Sequence, residues 1–288
     1  MLISEFLASD YKEQHFVVVL GHPVSHSKSP AIHNAALAYH QLNVRYHALD
    51  CPESEQQLIP ELFAHPNFIG SNVTIPLKKR IVSYLDELDE TASEIGAVNT
   101  VVPDGKGLLV GYNTDSYGFM APLKQVHGIH TAVVLGTGGA SRAVCYALST
   151  FGVEKLYLVS RTSKKQENHS DYPSDVQRIG YDALGDAIRH SELIVNTTPV
   201  GMHPATGHSP MPEQCLPLLA DKYCYDIIYN PPETTLLKKA KAHGAQTIGG
   251  LDMFIHQAAR SFELWFDKPM PLQLVRKVLL DMISNSKS

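Results

Sequence analysis

Cysteine is scarce in this sequence and is not arranged in pairs. Only four cysteines occur among the 288 residues, at positions 51, 145, 215 and 224, and they form no Cys-x-x-Cys motif. The spacing excludes a disulfide framework and the common zinc modules, and it is typical of reduced, mostly buried thiols. We therefore expect a cytoplasmic protein.

Long apolar runs and clusters of one charge are also missing. No stretch approaches the ~18–20 apolar residues that a membrane-spanning helix needs. Segment 1–14 carries acidic residues early, unlike a secretory signal. The formal net charge is −5 and no basic run occurs, so the sequence predicts neither a membrane nor a nucleic-acid partner.

Histidine is common, with 15 residues, but no His-Glu-x-x-His motif stands among the three that lie close together, His22, His26 and His33. Pro23 and Pro30 prevent one continuous helix from presenting all three as ligands. A metal site and a set of solvated or hydrogen-bonded histidines both fit this segment. We expect the second and predict no metal.

Strand-length and helix-length segments alternate along the chain, and the 44% of hydrophobic residues is enough for two cores. The predicted strands are Phe16–Leu20, Val44–Asp50, Ala132–Leu135, Lys155–Val159, Leu193–Val195 and Tyr223–Tyr229. The predicted helices include Pro30–Gln41, Gly139–Phe151, Thr234–His243, Leu251–Phe266 and Pro271–Ile283. This alternation predicts an α/β fold with largely parallel sheets.

A glycine-rich turn follows the strand that begins at Thr131. Gly136 permits a tight turn, and Gly138 and Gly139 let backbone amides approach an anion at a helix N-terminus, which suits a pyrophosphate. The match to Gly-x-Gly-x-x-Gly is imperfect because Ser141 occupies the third glycine position. A purely structural strand–turn–helix is the alternative.

The end of the next strand bears on which dinucleotide binds. An NAD site usually has an acidic residue about 20 residues after the glycines, but no acid lies between Glu154 and Glu167. Arg161, Lys164 and Lys165 stand there instead. Cations suit a 2′-phosphate, so the sequence favours NADP; a solvated basic loop is the other reading, above all for the two lysines.

Two adjacent lysines follow a proline, and they are predicted to differ in exposure. On a helix over residues 76–85, Lys79 would face water, whereas Lys78 would border the apolar stripe. Lys78 then either extends its ammonium to solvent or points into a cleft beside Asn72 and Thr74. In the cleft it could give and take a proton.

Other polar clusters are placed where a ligand could meet them. Ser29 is predicted to cap a helix that begins at Pro30, which leaves Ser27 in the loop before it. Asn99 lies among apolar residues, and Thr114 or Asp115 is predicted to cap a further helix. Segment 196–202 follows a strand of the cofactor unit, where open α/β sheets bind ligands.

These segments, in this order, resemble the shikimate dehydrogenase family from about Val17 to about Trp265. The matching stretches are GHPVSHSKSPAIHN, SNVTIPLKK, GAVNT, GYNTDSYGF, LGTGGASRA, SRT, NTTPVGM, YDIIYNP and GGLDMFIHQA. The resemblance implies reversible, NADPH-dependent reduction of 3-dehydroshikimate to shikimate in aromatic amino-acid biosynthesis. The implied fold is a substrate domain, 1–114 and 250–288, to which the C-terminal helices return, and a Rossmann-type doubly wound NADP domain, 115–249.

The resemblance also implies roles for individual residues, with Lys78 and Asp115 as the catalytic pair. The implied substrate-binding residues are Ser27, Ser29, Asn72, Thr74, Lys78, Asn99, Asp115, Tyr229 and Gln257. The implied cofactor-binding residues are Gly136, Gly138, Gly139, Ala140, Ser160, Arg161, Thr162, Met202 and Gly250.

The chain departs from the family pattern at two places and leaves two rival functions open. Ser160 replaces the common asparagine of Asn-Arg-Thr, and Asp252 interrupts the frequent Gly-x-Gly-Met. One rival is a quinate/shikimate dehydrogenase that uses NAD. The other is a non-catalytic ligand sensor, which would be expected to lose the lysine–carboxylate pair. The oligomeric state is left as monomer or homodimer.

Overall fold

A computed structural model describes residues 1–161, 172–173 and 176–285. The chain forms two compact units: unit 1 is Met1–Thr114 with Gln257–Ser288, and unit 2 is Asp115–His256. The second division falls inside a helix, a few residues after the Gly250 boundary proposed from the sequence. The roles assigned to the two units stay a prediction.

The elements, in chain order, match most of the predicted segments to within a few residues. The helices are α1 (Ile3–Leu7), α2 (Ser29–Tyr39), α3 (Ile59–Phe63), α4 (Glu90–Ile95), α5 (Thr114–Met120), α6 (Gly139–Thr150), α7 (Leu184–Arg189), α8 (Thr235–Ala242), α9 (Leu251–Phe266) and α10 (Leu272–Asn285). The strands are β1 (His15–Gly21), β2 (Val44–Asp50), β3 (Phe68–Val73), β4 (Glu87–Leu88), β5 (Thr100–Pro103), β6 (Leu109–Tyr112), β7 (Thr131–Leu135), β8 (Lys155–Val159), β9 (Val176–Ile179), β10 (Leu193–Asn196), β11 (Tyr223–Asp226) and β12 (Gln246–Gly249).

Unit 1 contains a mixed sheet with the strand order β2-β1-β3-β5-β6-β4. Strand β1 pairs in parallel with β2 and β3, and it is buried from Phe16 onwards, as expected of a parallel strand covered on both faces. Strand β3 pairs antiparallel with β5, which places Asn72 opposite Thr100. Helix α10 and the later part of α9 belong to this unit, and α10 lies against α2.

Unit 2 contains a parallel sheet with the order β12-β11-β10-β7-β8-β9. The central strand β7 is apolar and buried from Ala132 to Leu135 because helices cover both faces. Ala132 and Val134 join one hydrophobic core, and Val133 and Leu135 join the core on the opposite face. This doubly wound order is the Rossmann arrangement, so the predicted fold class is confirmed.

The predicted helix over residues 76–85 is wrong. Residues 75–79 form turns, and only Arg80–Tyr84 is helical, as a short 3₁₀ segment. Ile81 and Val82 are β-branched and favour the helix weakly, and Leu85 is already extended, because β4 begins two residues later. The predicted strand Tyr223–Tyr229 also ends early, at Asp226.

Among the described residues, no helix has the length and apolar character needed to cross a membrane. The same residues contain no group of three or more His, Cys, Asp or Glu side chains placed to hold a metal ion.

Candidate active site

A buried network of amides and hydroxyls lies at the end of β3 in unit 1. The Asn72 amide nitrogen donates to the Asn99 carbonyl oxygen at 3.2 Å, to Thr100 Oγ1 at 3.1 Å and to Ser261 Oγ at 3.0 Å. Tyr46 completes the contacts by donating its hydroxyl to Asn72 Oδ1 at 2.7 Å. The network connects β2, β3 and β5 with helix α9.

Asn99 extends this network to the start of α5. Its Oδ1 accepts the Thr114 backbone N–H at 2.8 Å, and its Nδ2 donates to Thr114 Oγ1 at 3.0 Å. Asn99 therefore satisfies a backbone donor at a helix N-terminus, where such groups lack intrahelical partners. Asp115, 7% exposed, follows in the first turn and belongs to unit 2.

The serine loop before α2 differs by one position from the prediction. Helix α2 begins at Ser29 itself, after Lys28, so the predicted Ser29 N-cap is one residue too late. The Ser29 backbone N–H donates to Ser27 Oγ at 3.3 Å, which fixes the loop that carries both hydroxyls. Ser29 also hydrogen-bonds the Tyr46 side chain, so this loop connects to the buried network.

Thr74 and Lys78 lie on the turn that replaces the predicted helix. A Cβ on Gly21 would lie 2.3 Å from Thr74 Cγ2, so glycine is required for this close approach. The Lys78 carbonyl accepts the Val98 N–H at 2.8 Å, which ties the turn to the segment before Asn99. Lys78 is half-buried and Lys79 is exposed, which agrees with the expected difference between the two.

The predicted phosphate-binding residues meet at the carboxyl edge of the sheet in unit 2. Gly136 follows β7 with φ 103°, and a Cβ on Gly138 would meet nothing within 4 Å. Gly138 precedes α6 and no side chain caps that end, so Gly139 and Ala140 begin a helix whose N–H groups face this edge. Open space beside a helix N-terminus fits the phosphates of a dinucleotide.

The remaining predicted cofactor residues follow other strands at the same edge. Ser160 and the exposed Arg161 come directly after β8. Burial raises the pKa of Tyr181, and the positive charge of Arg161 opposes that rise. Met202, 39% exposed, lies in the loop after β10. Thr162 and the two loop lysines lie outside the described residues.

The turn between β12 and α9 requires its predicted glycine. A Cβ on Gly250 would lie 2.1 Å from the Ile227 carbonyl oxygen, so a side chain would displace the backbone after β11. Tyr229, in the same loop, stacks on Phe254 with ring centroids 4.1 Å apart. Gly250, Tyr229 and Phe254 lie in unit 2, whereas Gln257, further along α9, lies in unit 1.

Lys78 and Asp115 belong to different units, so their action as a catalytic pair stays a prediction. Sequence reasoning missed three members of the buried network: Tyr46, Thr100 and Ser261. A signal for two of them was present, since Thr100 directly follows Asn99 and Ser261 lies one helical turn after Gln257. Tyr46 carried no such signal.

Comparisons with known proteins agree along nearly the whole chain. Residues 19–101 match the shikimate dehydrogenase substrate binding domain, and residues 250–280 match the shikimate 5′-dehydrogenase C-terminal domain. A relative from Symbiobacterium thermophilum named shikimate dehydrogenase (NADP(+)) is 39% identical over 274 residues, covering 91% of this chain and 92% of the relative.

Two solved structures illustrate the range of similar proteins. Shikimate 5-dehydrogenase from Thermus thermophilus, in complex with NADP(H) and shikimate, is 33% identical with a TM-score of 0.79, covering 92% of this chain and 98% of that one. Quinate dehydrogenase from Corynebacterium glutamicum, in complex with NAD, is 31% identical with a TM-score of 0.83, covering 92% and 98%.

Proposed function

The chain belongs to the shikimate dehydrogenase family, and on that premise we propose that it catalyses the reversible NADPH-dependent reduction of 3-dehydroshikimate to shikimate. It is an NADP-dependent oxidoreductase acting on a CH–OH group, in the biosynthesis of aromatic amino acids. The observation that carries the proposal is the presence in one chain of an uncapped helix N-terminus after a glycine turn and a buried set of amides and hydroxyls. The first suits a dinucleotide phosphate, and the second suits a small polyol.

The cofactor residues divide by the part of the nucleotide that they meet. Gly136, Gly138 and the first turn of α6 hold the pyrophosphate through backbone N–H groups. Arg161 meets the 2′-phosphate as a cation. When bound, NADPH supplies the hydride. Met202 and Gly250 line the nicotinamide end.

The substrate residues hold the ring, and Lys78 manages the charge that develops on it. As the carbonyl carbon accepts hydride, negative charge grows on its oxygen and must be met by a cation or a proton. The Lys78 ammonium supplies this positive charge or proton, and Asp115 orients both Lys78 and a substrate hydroxyl. The remaining binding residues are Ser27, Ser29, Asn72, Thr74, Asn99, Tyr229 and Gln257.

Replacing Lys78 with Ala tests this role. General acid–base help is worth ~10²- to 10⁴-fold, so kcat for shikimate oxidation should fall by about that factor while the dissociation constant of shikimate changes little. Lys79→Ala is the matched control, because Lys79 is an adjacent, exposed lysine, and it should keep wild-type kcat. Near-native turnover in Lys78→Ala would contradict the assignment of Lys78 as the catalytic cation.

Quinate oxidation with NAD is the second candidate, favoured by the likeness to a quinate dehydrogenase. Arg161 at the end of β8, with no acid nearby in sequence, supports NADP instead. Steady-state assays of both substrates with both nucleotides separate the two: we expect the highest kcat/KM for shikimate with NADP. Preference for quinate with NAD would reverse the assignment, and shikimate binding without turnover under either nucleotide would favour a sensor. A cytoplasmic location and a monomeric or dimeric state remain part of the proposal.

A further inference from the structure

The orientation of the Asn72 amide is fixed by a partner that can only accept. Its Nδ2 lies 3.2 Å from the Asn99 backbone carbonyl oxygen, and a carbonyl cannot donate. The amide nitrogen must therefore face Asn99, and Oδ1 must face the Tyr46 hydroxyl 2.7 Å away. It follows that Tyr46 donates this hydrogen bond and Asn72 accepts it.

The donors of Asn72 are fully used inside unit 1. An amide nitrogen carries two N–H groups, and three acceptors surround it: the Asn99 carbonyl, Thr100 Oγ1 and Ser261 Oγ. In the part of the chain that the structure describes, Oδ1 accepts a hydrogen bond from Tyr46 alone, which occupies one of its two lone pairs. What Asn72 can present to a ligand is thus an acceptor.

Tyr46 is itself held rigidly from helix α2. Its ring stacks on His33 with centroids 4.4 Å apart and planes inclined by 5°. The Asn34 side chain makes two hydrogen bonds to the Tyr46 backbone: it accepts the N–H at 3.0 Å and donates to the carbonyl at 2.9 Å. Burial lowers the pKa of His33 to about 3 and raises the pKa of Tyr46 well above its ordinary value. Both rings therefore stay neutral, and Tyr46 keeps its proton as a donor.

We propose that Tyr46 is a positioning residue for the substrate: its hydroxyl anchors Asn72 Oδ1 in place, so that the amide, whose polarity is set by the Asn99 carbonyl, presents an acceptor that selects a ligand hydroxyl at that point of the ring. This inference rests on the proposed function, which makes Asn72 a substrate-binding residue. A carboxylate or a ketone oxygen placed there would meet another acceptor and be disfavoured. Asn72 thus discriminates by the polarity of its hydrogen bond as well as by shape.

The test compares two ligands in Tyr46→Phe, which removes the hydroxyl and keeps the ring. Shikimate carries ring hydroxyls, whereas cyclohex-1-ene-1-carboxylate has the same ring and carboxylate without them. One hydrogen bond is worth about 1 kcal/mol, or roughly fivefold in affinity. We expect the shikimate dissociation constant to rise about fivefold, the inhibition constant of the hydroxyl-free ligand to stay unchanged, and kcat and the NADP dissociation constant to stay within about twofold.

Tyr225→Phe is the matched control, because it deletes an equally buried phenol hydroxyl in unit 2 and should leave both ligands unaffected. Thermal melting checks that each variant is folded. If Tyr46→Phe does not fold, Asn34→Ala provides the same reading, because it removes the two hydrogen bonds that hold the Tyr46 backbone and leaves the Asn72 donors paired. The inference is overturned if the variant weakens the binding of both ligands equally, or if it weakens the binding of neither. Wild-type enzyme that neither binds nor oxidises shikimate overturns the proposed function and this inference with it.

Discussion

Asp226, at the end of β11, is a carboxyl group with no exposed surface. Its Oδ1 accepts from Asn196 Nδ2 at 3.0 Å and from the Ile228 N–H at 3.1 Å, and its Oδ2 accepts from Thr234 Oγ1 at 2.7 Å. These contacts join the end of β10 to the residue that caps α8. Burial raises the pKa of Asp226 from 3.8 to about 6, and the three hydrogen bonds offset part of that rise.

The raised pKa predicts how stability changes with pH. A carboxyl that binds its proton more tightly when folded contributes stability that is fully present below pH 3.8 and is lost as the pH rises through about 6. The difference in unfolding free energy between wild type and Asp226→Asn should therefore fall by on the order of 3 kcal/mol between pH 4 and pH 7. Denaturant titrations at several pH values measure it.

Asp182→Asn is the control for that experiment, since it deletes an exposed carboxyl group of the same unit, and the fall between pH 4 and pH 7 should be larger for Asp226→Asn. A pH-independent difference for Asp226→Asn would contradict the assignment of the raised pKa to this group.

Asp226 and Tyr46 mark what sequence reasoning could not reach at the scale of single residues. Ser27, Asn72 and Thr74 were predicted because they stand in short polar segments beside a proline, and Asn99 because a buried amide among apolar residues needs partners. Tyr46 lies 26 residues from its partner Asn72, and Asp226 lies 30 residues from Asn196. Each lies in a segment whose sequence pattern is that of an ordinary strand. Its hydrogen bonds can be recognised only when strands that are distant in the sequence come together in the fold.

At the scale of elements, α9 is anchored to the sheet of unit 1 by Trp265. The indole nitrogen donates to the Val101 carbonyl at 3.0 Å. It also passes directly over Gly70 of β3, where a Cβ would lie 2.2 Å from it. The indole can pack against β3 only because Gly70 has no side chain. The same helix carries Gln257 and Ser261, so this anchor helps set their place.

Gly70→Ala should therefore displace Trp265 and with it α9. Overpacking typically costs ~1–3 kcal/mol, so we expect a lower melting temperature together with a higher KM for shikimate and an unchanged dissociation constant for NADP. Gly105→Ala is the matched control, because a Cβ there meets nothing within 4 Å, and it should behave as wild type. A Gly70→Ala enzyme with normal melting and normal KM would show that α9 does not depend on this contact.

Elements were predicted best where a hydrophobic period extended over many residues, as in β1, β7 and α9. The segment after Pro76 failed for a local reason. Its apolar residues recur at helical spacing, yet the chain must reach β4 within a few residues, so it forms turns and one short 3₁₀ segment. Periodicity predicted an apolar stripe of Ile81, Val82 and Leu85, of which Ile81 is buried and the other two are half-buried, but tertiary pairing decided the backbone.

At the scale of the whole molecule, the described residues form one core in unit 1 and one on each face of the sheet in unit 2, and helix α9 is divided between the two units. The family resemblance implies a boundary at Gly250, with the C-terminal helices returning to the substrate domain. The division instead falls after His256, inside α9. Residues 251–256 pack with unit 2, where Met253 joins its core, whereas the rest of α9 belongs to unit 1. A helix continues wherever its backbone hydrogen bonds do, so the division between two compact units can fall inside one helix.

This division predicts which amides each ligand protects from hydrogen exchange. A ligand that binds only the folded form stabilises the unit that holds it, and local opening is measured segment by segment. NADP alone should slow exchange in β7, the first turns of α6 and the end of β8. Shikimate alone should slow it around β3 and the start of β5. Helix α9 should respond to both, with its first two turns following NADP and its later turns following shikimate.

The control for this experiment is NAD, which lacks the 2′-phosphate and should protect the end of β8 less than NADP does. Exchange that slows around β3 with NADP alone, in the absence of shikimate, would contradict the assignment of the two ligands to the two units.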